Sequence, residues 1–421
     1  MMKQTLVGFL AACAVVCSSG RLAATDGYFS TGYGTQSKGV AGAGVAIATD
    51  TLAPALNPAT LVFVTDQIDL GASLFNPNRS YRVTGQPSGF PGTFGLAPGT
   101  VESGSRLFVV PAFGAARKAG AHGALGVALY GNSGMNTNYN APTFGVAPAG
   151  VDLSQMFIAP TYARTFGAHH AVGVTGIVAY QRFSASGLQA FAPFSSDDDC
   201  LSNNAHANSF GGGLRVGYLG TVSKYLSVGA SYQSRIWMQK FEPYKGLFAQ
   251  EGTFDVPSSW VVGVAVKPTT NVDLLADVQH VRYGEVKSIA NTLLPNLMQT
   301  PLGSDTGAGF GWQDMTTYKF GVQQHVRDGW TWRAGYSYGR QPIPSSEVLF
   351  NILAPGVEEH HATLGISKAV GHGRALSVAL TRAFSNTVTG PNPLETPGRQ
   401  QIGLEMNQWD VQIGYAFKVG R

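Results

Sequence analysis

The segment at residues 312–338 constrains the fold most strongly, because it alternates between two kinds of side chain on both sides of Asp328-Gly329. An Asp-Gly pair between two alternating segments is a strong signal for a β-hairpin with a two-residue turn. One face of the two predicted strands collects large apolar side chains, namely Tyr318, Phe320, Val322, Trp330, Trp332, Ala334, Tyr336 and Tyr338. The other face carries a mixed set of polar side chains and glycines. Aromatic residues toward lipid and polar residues toward a lumen are typical of a transmembrane β-barrel strand.

The composition favours a membrane protein without membrane-spanning helices. Charged residues make up 12% of the 421 residues and the mean hydropathy is +0.03, whereas soluble proteins carry about 25% charged residues. No apolar run approaches the ~20 residues that a spanning helix needs, which leaves the closed β-barrel as the other way across a bilayer. The formal net charge of +4 comes without a cluster of Lys and Arg, so we expect no nucleic-acid partner.

The N-terminus has the parts of a secretory signal peptide: Lys3, an apolar run at residues 6–17, and small residues up to Ala24. We therefore predict a signal peptide at residues 1–24. A lipoprotein acylation site at Cys13 is the alternative, although the apolar run before it is short. Two of the three cysteines leave with the signal peptide, so Cys200 can form neither an internal disulfide nor a cysteine-based metal site.

The remainder of the chain divides into a short N-terminal segment and a long strand-rich region. The segment at residues 25–66 is rich in Gly and Ala up to about residue 53, and the turn Asn57-Pro58-Ala59 ends it. Its small residues could pack closely against surrounding walls, which predicts a plug inside a larger structure; a flexible leader is the alternative. Residues 67–421 form the predicted barrel.

The barrel prediction rests on about fourteen strands, each long enough to cross a bilayer at a tilt. They are 67–83, 105–118, 121–133, 155–167, 170–186, 208–222, 225–241, 256–268, 271–288, 315–327, 330–340, 359–370, 373–386 and 405–419. Turns of about two residues alternate with loops of roughly 13 to 26 residues, and this alternation with an even strand number is typical of outer-membrane barrels. We therefore predict an all-β fold, an antiparallel transmembrane barrel in the cell outer membrane.

Four stretches resemble the FadL-type long-chain fatty-acid outer-membrane transporters, a family that includes importers of toluene and other hydrocarbons. They are GTQSKGVAGAGVAIATDTLAPALNPATL, VPSSWVVGVAVKPTTNVDLLADVQHVRY, the 312–338 hairpin and the hairpin at 361–384. The resemblance implies a barrel of fourteen strands, closed by an N-terminal hatch, that takes up hydrophobic compounds passively. It also implies sideways release near a kinked third strand, here 121–133. The matching hatch positions are Gly42, Asn57, Pro58 and Ala59.

The loops at 187–207 and 242–255 match the ligand-collecting loops of the family. They carry an apolar set that a solvated loop does not need, namely Leu188, Phe191, Phe194, Leu247, Phe248 and Phe254. Packing of the loops against each other is the alternative explanation.

A fatty-acid carboxylate would need a cation in the lumen. The candidates are Arg235, Lys319 and Arg333, and ordinary structural pairing of these cations with Asp273 and Asp277 is the alternative.

Other functions have weaker support in the sequence. The pairs His169-His170 and His360-His361 have no carboxylate or cysteine at ligand spacing. The run Asp197-Asp198-Asp199 could bind a hard cation in an outer loop, but it is more typical of a solvated loop tip. We therefore expect no metal site, no cofactor and no enzyme activity, because the nucleophile elbow and the phosphate loop are also missing. A general diffusion porin and a lipid-acting barrel enzyme remain the alternatives. The expected partners are a hydrophobic small molecule, outer-membrane lipid and lipopolysaccharide, and the barrel-assembly machinery, with a monomer as the expected state.

Overall fold

The computed structural model describes residues 27–64 and 66–419. The predicted signal peptide lies outside the described residues. Within them, one sheet contains the strands β1 Gln67–Thr84, β2 Gly99–Glu102, β3 Phe108–Ala119, β4 Gly123–Asn136, β5 Gly150–Phe166, β6 His170–Ser186, β7 Ala207–Ser223, β8 Leu226–Gln233, β9 Trp237–Met238, β10 Ser259–Thr269, β11 Val272–Val281, β12 Met315–His325, β13 Trp330–Gly339, β14 His360–Gly371, β15 Arg374–Pro391 and β16 Gln401–Lys418.

The sheet closes into a barrel because β16 pairs with β1 from Gln67↔Lys418 to Thr84↔Gln401. Each remaining barrel strand pairs with its neighbour along the chain, antiparallel throughout. The short strands β2 and β9 attach to β1 and β7 and take no part in closure. Fourteen strands therefore form the closed wall, which confirms the predicted fold class.

The helices among the described residues are single turns. They are α1 Thr35–Lys38, α2 Ala249–Gly252, α3 Lys287–Ala290 and α4 Asn296–Gln299, with 3-10 turns at Ala53–Ala55, Pro58–Phe63, Gln189–Phe194, Asp198–Cys200, Glu242–Tyr244, Tyr283–Glu285, Arg327–Gly329, Ser345–Glu347 and Phe350–Ile352. None of the helices in the described part of the chain has the length and apolar character required to traverse a membrane.

The side chains of the 312–338 hairpin alternate between the outer face and the lumen, as predicted. Phe320 and Trp332 point outward and are 53% and 42% exposed, whereas Lys319 and Arg333 point into the lumen and are 2% and 4% exposed. The turn is one residue longer than predicted: it comprises Arg327–Gly329, and Val326 N–H donates to Trp330 O at 2.9 Å.

Two predicted strands end earlier than the sequence indicates, because the chain turns away from the ladder to build loops. The predicted strand 225–241 stops at Gln233, and Ile236 then exchanges backbone hydrogen bonds of 2.9 and 3.1 Å with Val256. The predicted strand 271–288 stops at Val281, and a 3-10 turn and α3 follow.

The N-terminal segment (residues 27–64) lies inside the barrel and packs directly on glycines of the inner wall. A Cβ on Gly217 of β7 would lie 2.0 Å from Asn57 Oδ1, and a Cβ on Gly173 of β6 would lie 2.4 Å from the carbonyl carbon of Pro58. Gly42 has a φ of +75°, and a Cβ there would lie 1.8 Å from Thr31 O. The segment thus approaches the wall backbone where side chains are missing.

We expect Gly217→Ala to lower the free energy of unfolding by about 1–3 kcal/mol, since the added methyl group would overpack against the N-terminal segment. Urea unfolding of the protein in lipid vesicles measures the change. Gly212→Ala on the same strand is the matched control, because its nearest heavy atom is Ile177 O at 3.8 Å. Equal stabilities of the two variants would contradict the packing described here.

Candidate functional site

Asn57 joins the N-terminal segment to the wall. Its Nδ2 donates to Val45 O at 2.7 Å and to Tyr218 O of β7 at 2.9 Å, while its Oδ1 accepts from Ala59 N–H at 3.0 Å. The side chain is fully buried, so all three hydrogen bonds replace contacts with water. Pro58 begins the 3-10 turn that Asn57 caps. Three of the hatch positions named from the sequence, Asn57, Pro58 and Ala59, thus meet the inner wall at one point, whereas Gly42 lies near Thr31 and Lys319.

Charged wall residues hold the same segment by its backbone and by one ion pair. Asp277 Oδ2 accepts from Gly44 N–H at 2.7 Å and from Val45 N–H at 2.9 Å. Lys319 Nζ donates to Thr31 O at 2.9 Å. On β16, several strands away, Asp410 forms a 2.5 Å ion pair with Lys38 of the segment. The middle of the segment is therefore fixed on several sides.

The other polar candidates are each engaged by neighbouring groups. Arg235 lies beyond the end of β8, where its guanidinium pairs with Asp255 at 2.7 Å and donates to Glu285 O at 2.6 Å. Asp273 accepts from Gln323 at 3.1 Å and lies 3.4 Å from Lys267 Nζ.

Arg333 has neutral partners and donates to Gln323 Oε1 at 2.6 Å, to Ser367 Oγ at 2.6 Å and to Gln36 Oε1 at 2.5 Å. These contacts connect β13 to β12, to β14 and to the N-terminal segment.

An outer cavity of about 30 Å³ lies under the long loops and is almost entirely apolar. Its lining comprises Val151, Phe183, Leu188, Phe191, Leu201, Leu247, Phe248, Ser288, Leu302, Ala308, Gly309, Phe310, Phe350 and Leu353. Four of the loop residues named from the sequence are among them. Phe194 packs against the same cluster.

Phe254, the sixth loop residue, begins an aromatic path that leads inward from this cavity. Its ring centroid lies 4.8 Å from that of Phe248 in the cavity lining and 6.3 Å from that of Tyr28. Tyr28 in turn stacks on Phe29 at 4.8 Å. Tyr283 and Trp312 flank these rings. A continuous row of packed aromatic rings therefore connects the loops with the start of the N-terminal segment.

An inner cavity of about 30 Å³ lies at the end of this path, and its lining is mixed. It comprises Phe29, Tyr33, Ala55, Leu56, Asn132, Arg215, Ser231, Gln233, Ser259, Trp260, Val261, Gln279 and Val281. Arg215 is 5% exposed and donates to Tyr130 OH at 3.1 Å and to Gln233 Oε1. No carboxylate of the described residues forms an ion pair with it. Arg215 is not among the residues named from the sequence, although its lumen-facing parity on β7 is visible there.

The wall is interrupted beside the inner cavity, between β3 and β4. Their pairing ends at Ala112↔Tyr130, although β3 continues to Phe108 against β1 and β4 continues to Asn136 against β5. Asn132 is an extra residue in the β4–β5 register. The N-terminal segment occupies the gap on the inside: Phe29 pairs with Ser133, and Ser30 N–H donates to Asn132 O at 3.1 Å.

An ion pair and several hydrogen bonds connect the outer loops that cover the outer cavity. Lys245 Nζ lies 2.8 Å from Asp197 Oδ2, and its hydrogen bond lowers the pKa of that carboxyl. Hydrogen bonds led by that from Ser88 Oγ lower the pKa of Glu395 to about 2. Both carboxylates are therefore charged at neutral pH. Within the described residues, no group of His, Cys, Asp and Glu is arranged to hold a metal ion.

The sequence that folds into this barrel matches a known family. The model of the outer membrane protein transport protein family (OMPP1/FadL/TodX) matches residues 16–393. The chain belongs to this family. This OMPP1/FadL/TodX member is thus an outer-membrane transport protein, which confirms the resemblance inferred from the sequence and its expected location. No curated protein matches it.

Solved structures share the fold of this OMPP1/FadL/TodX member at low sequence identity. The Pseudomonas putida toluene transporter TodX is 16% identical with a TM-score of 0.68, and a Pseudomonas aeruginosa FadL homologue is 14% identical with a TM-score of 0.70. The Ralstonia pickettii toluene transporter TbuX is 16% identical with a TM-score of 0.63. Each match covers 93% of this chain and 99% of the other chain. They establish a common fold.

We expect Asn57→Ala to increase ion leakage, because it leaves Val45 O, Tyr218 O and Ala59 N–H without their partner, at about 1–3 kcal/mol for each buried group. Single-channel conductance in planar bilayers measures the leak. Asn78→Ala is the control, since the Asn78 side chain makes one hydrogen bond among the described residues, to Asn76 Oδ1 at 3.2 Å. Equal conductance of the two variants would show that Asn57 does not hold the lumen closed.

Proposed function

We propose that this protein is a passive channel for hydrophobic compounds, without chemical conversion of the solute. The supporting observation is the continuous apolar path from the loop-covered outer cavity through Phe254 and Tyr28 to the inner cavity. Apolar surface attracts a hydrophobic solute without directional contacts, so transfer between the two cavities needs no energy source. A general diffusion porin would instead require an open polar lumen, and the N-terminal segment fills this one.

The route requires a local movement, because each cavity has about 30 Å³ of space, which is comparable to one water molecule. Residues 34–64 are unsuited to this movement, since Asn57, Lys38 and the Asp277 contacts fix them to the wall. We propose that residues 27–33 move instead, which breaks the hydrogen bond from Lys319 to Thr31 O, and that residues 34–64 remain in place as a hatch. Phe29 lines the inner cavity and covers the gap in the wall, so one displacement would open both.

We propose that the solute leaves sideways through the gap between β3 and β4. The gap opens toward lipid, where the exposed side chains of Leu107 and Val109 provide an apolar surface. An apolar solute gains nothing by entering water, and the membrane lies directly outside this opening. Exit toward the periplasm would instead require the fixed part of the hatch to move.

A disulfide between residues 29 and 133 tests this route. Phe29 and Ser133 form a non-hydrogen-bonded antiparallel pair, since Ser30 N–H donates to Asn132 O, and the Cα atoms of such pairs lie about 4.5 Å apart, within disulfide range. In a Cys200→Ser background, we expect oxidised Phe29→Cys/Ser133→Cys to stop uptake of radiolabelled toluene and oleate, and reduction to restore it.

The single variant Ser133→Cys is the control and should transport in both redox states. Uptake of a small sugar is measured in parallel, because its loss together with the hydrophobic solutes would favour a general porin. Unchanged uptake by the oxidised double variant would refute movement of residues 27–33 as the gate.

We further propose that the preferred solutes are amphiphiles with an anionic head, such as long-chain fatty acids. Arg215 is a buried guanidinium in the inner cavity, and its described hydrogen bonds go to neutral groups. A carboxylate would therefore gain a charge-assisted hydrogen bond there. The outer cavity offers no such cation and suits the chain of the same molecule.

We expect Arg215→Met to weaken oleate binding at least about tenfold, the loss for a hydrogen bond to a charged group, and to leave toluene binding unchanged. Binding to the purified protein is measured by isothermal titration calorimetry. Arg215→Lys should restore part of the oleate affinity, and Arg82→Met, an exposed cation on β1, is the control. If oleate and toluene weaken equally, Arg215 supports the cavity structure rather than recognising the head group.

A further inference from the structure

The outer face of the barrel carries a second kind of site, a shallow groove of about 590 Å³ across β5, β6, β7 and β8. Small outward side chains form its floor, namely Val172, Val174, Val216 and Ala230, and large ones form its sides, namely Tyr162, Phe166, Tyr218 and Tyr232. The difference in side-chain size between floor and sides creates the groove.

The groove opens toward the periplasmic leaflet of the membrane. Its residues lie at the end of the wall with the short turns, since β5 ends at Phe166 and β6 begins at His170. Short turns mark the periplasmic side of an outer-membrane barrel, and aromatic residues there lie at the level of the lipid head groups. Tyr162 is 42% and Phe166 is 52% exposed, so both face the lipid.

A cation lies within this apolar groove. Arg164 lines it between Tyr162 and Phe166, its residue is exposed, and no ion pair among the described residues includes it. At the same end, His170 Nδ1 and Tyr218 OH lie 2.8 Å apart and present polar groups to the head-group region. A guanidinium matches the geometry of a phosphate group.

The short turns form the periplasmic rim of the barrel. The positive charge of this rim favours an anionic occupant. Besides Arg164, the described residues near the short turns include the cations Arg117, Lys118, Lys224, Lys267, Arg327, Lys368, Arg374 and Lys418. Asp66 and Asp328 are the exposed or half-exposed carboxylates in these turns. Basic residues near a membrane surface attract anionic lipids, and the groove adds an apolar surface for an acyl chain.

We propose that this groove binds one glycerophospholipid of the periplasmic leaflet, with its phosphate on Arg164 and an acyl chain along the floor. Gly173 and Gly217 line the groove from the wall side, and their inner faces touch Pro58 and Asn57. The lipid therefore lies directly outside the point where the N-terminal segment is attached. This site is independent of the transport route.

Native mass spectrometry of the full chain in detergent tests the site, with dioleoylphosphatidylglycerol as the probe and dioleoylglycerol, which lacks the phosphate, for comparison. We expect one phosphatidylglycerol to remain bound and Arg164→Gln to reduce its retention about tenfold, as for loss of a hydrogen bond to a charged group. Arg374→Gln, a rim cation on β15, is the control and should retain the lipid. The proposal fails if Arg164→Gln retains as much lipid as the unaltered protein, or if both variants lose it equally.

A second variant separates the acyl groove from the cation. Val216→Phe keeps Arg164 but fills the floor, and Val216 is 50% exposed to lipid, so the barrel should tolerate the larger side chain. We expect reduced retention of phosphatidylglycerol by this variant, with the heat-dependent gel mobility of a folded barrel unchanged. Retention equal to that of the unaltered protein would place the lipid elsewhere and overturn the proposal, as would equal retention of dioleoylglycerol and phosphatidylglycerol.

Discussion

The pairing of β1 with β16 is the constraint on which the rest of the structure depends. Backbone N–H and C=O groups cannot remain unpaired in hydrocarbon, and this ladder, from Gln67↔Lys418 to Thr84↔Gln401, removes the two edges that an open sheet would expose. Closure of fourteen strands then encloses a lumen. The side chains of the wall do not fill such a lumen by themselves. Residues 27–64 occupy it instead, and the inner wall has glycines where this segment comes close.

The N-terminal segment and the inner wall make polar contacts to backbone groups in addition to apolar packing. Side chains of the wall and of the segment bind backbone groups directly. Asp277 accepts from Gly44 and Val45, Lys319 donates to Thr31, and Asn57 donates to Val45 and to Tyr218 of β7. Each such contact requires close approach, which explains why glycines face inward at Gly173 and Gly217. Polar lumen residues that could have bound a solute are therefore largely bonded to the N-terminal segment.

The sequence predicts the wall well and the interior poorly, for a physical reason. Alternation and turn length are local, so strand number, strand direction and the orientation of Lys319 and Arg333 follow from the pattern. The interruption at Asn132 depends on an extra residue in one ladder, and glycines are too common in this chain for those of β4 to indicate it. The place of Arg215 in the inner cavity depends on which residues face it across the lumen. No local sequence pattern contains that information. The early end of β8 likewise follows from the contact of Ile236 with Val256.

The gap between β3 and β4 is tolerated in lipid because little is left unpaired there. Pro111 stands just before the β3–β4 pairing begins and has no N–H to satisfy, while Ser30 N–H satisfies Asn132 O from inside. If residues 27–33 moved away, Asn132 O would lose this partner in a dry environment, at a cost of about 1–3 kcal/mol. That cost favours return of the segment after each solute molecule has passed. The closed state therefore needs no additional stabilising contact.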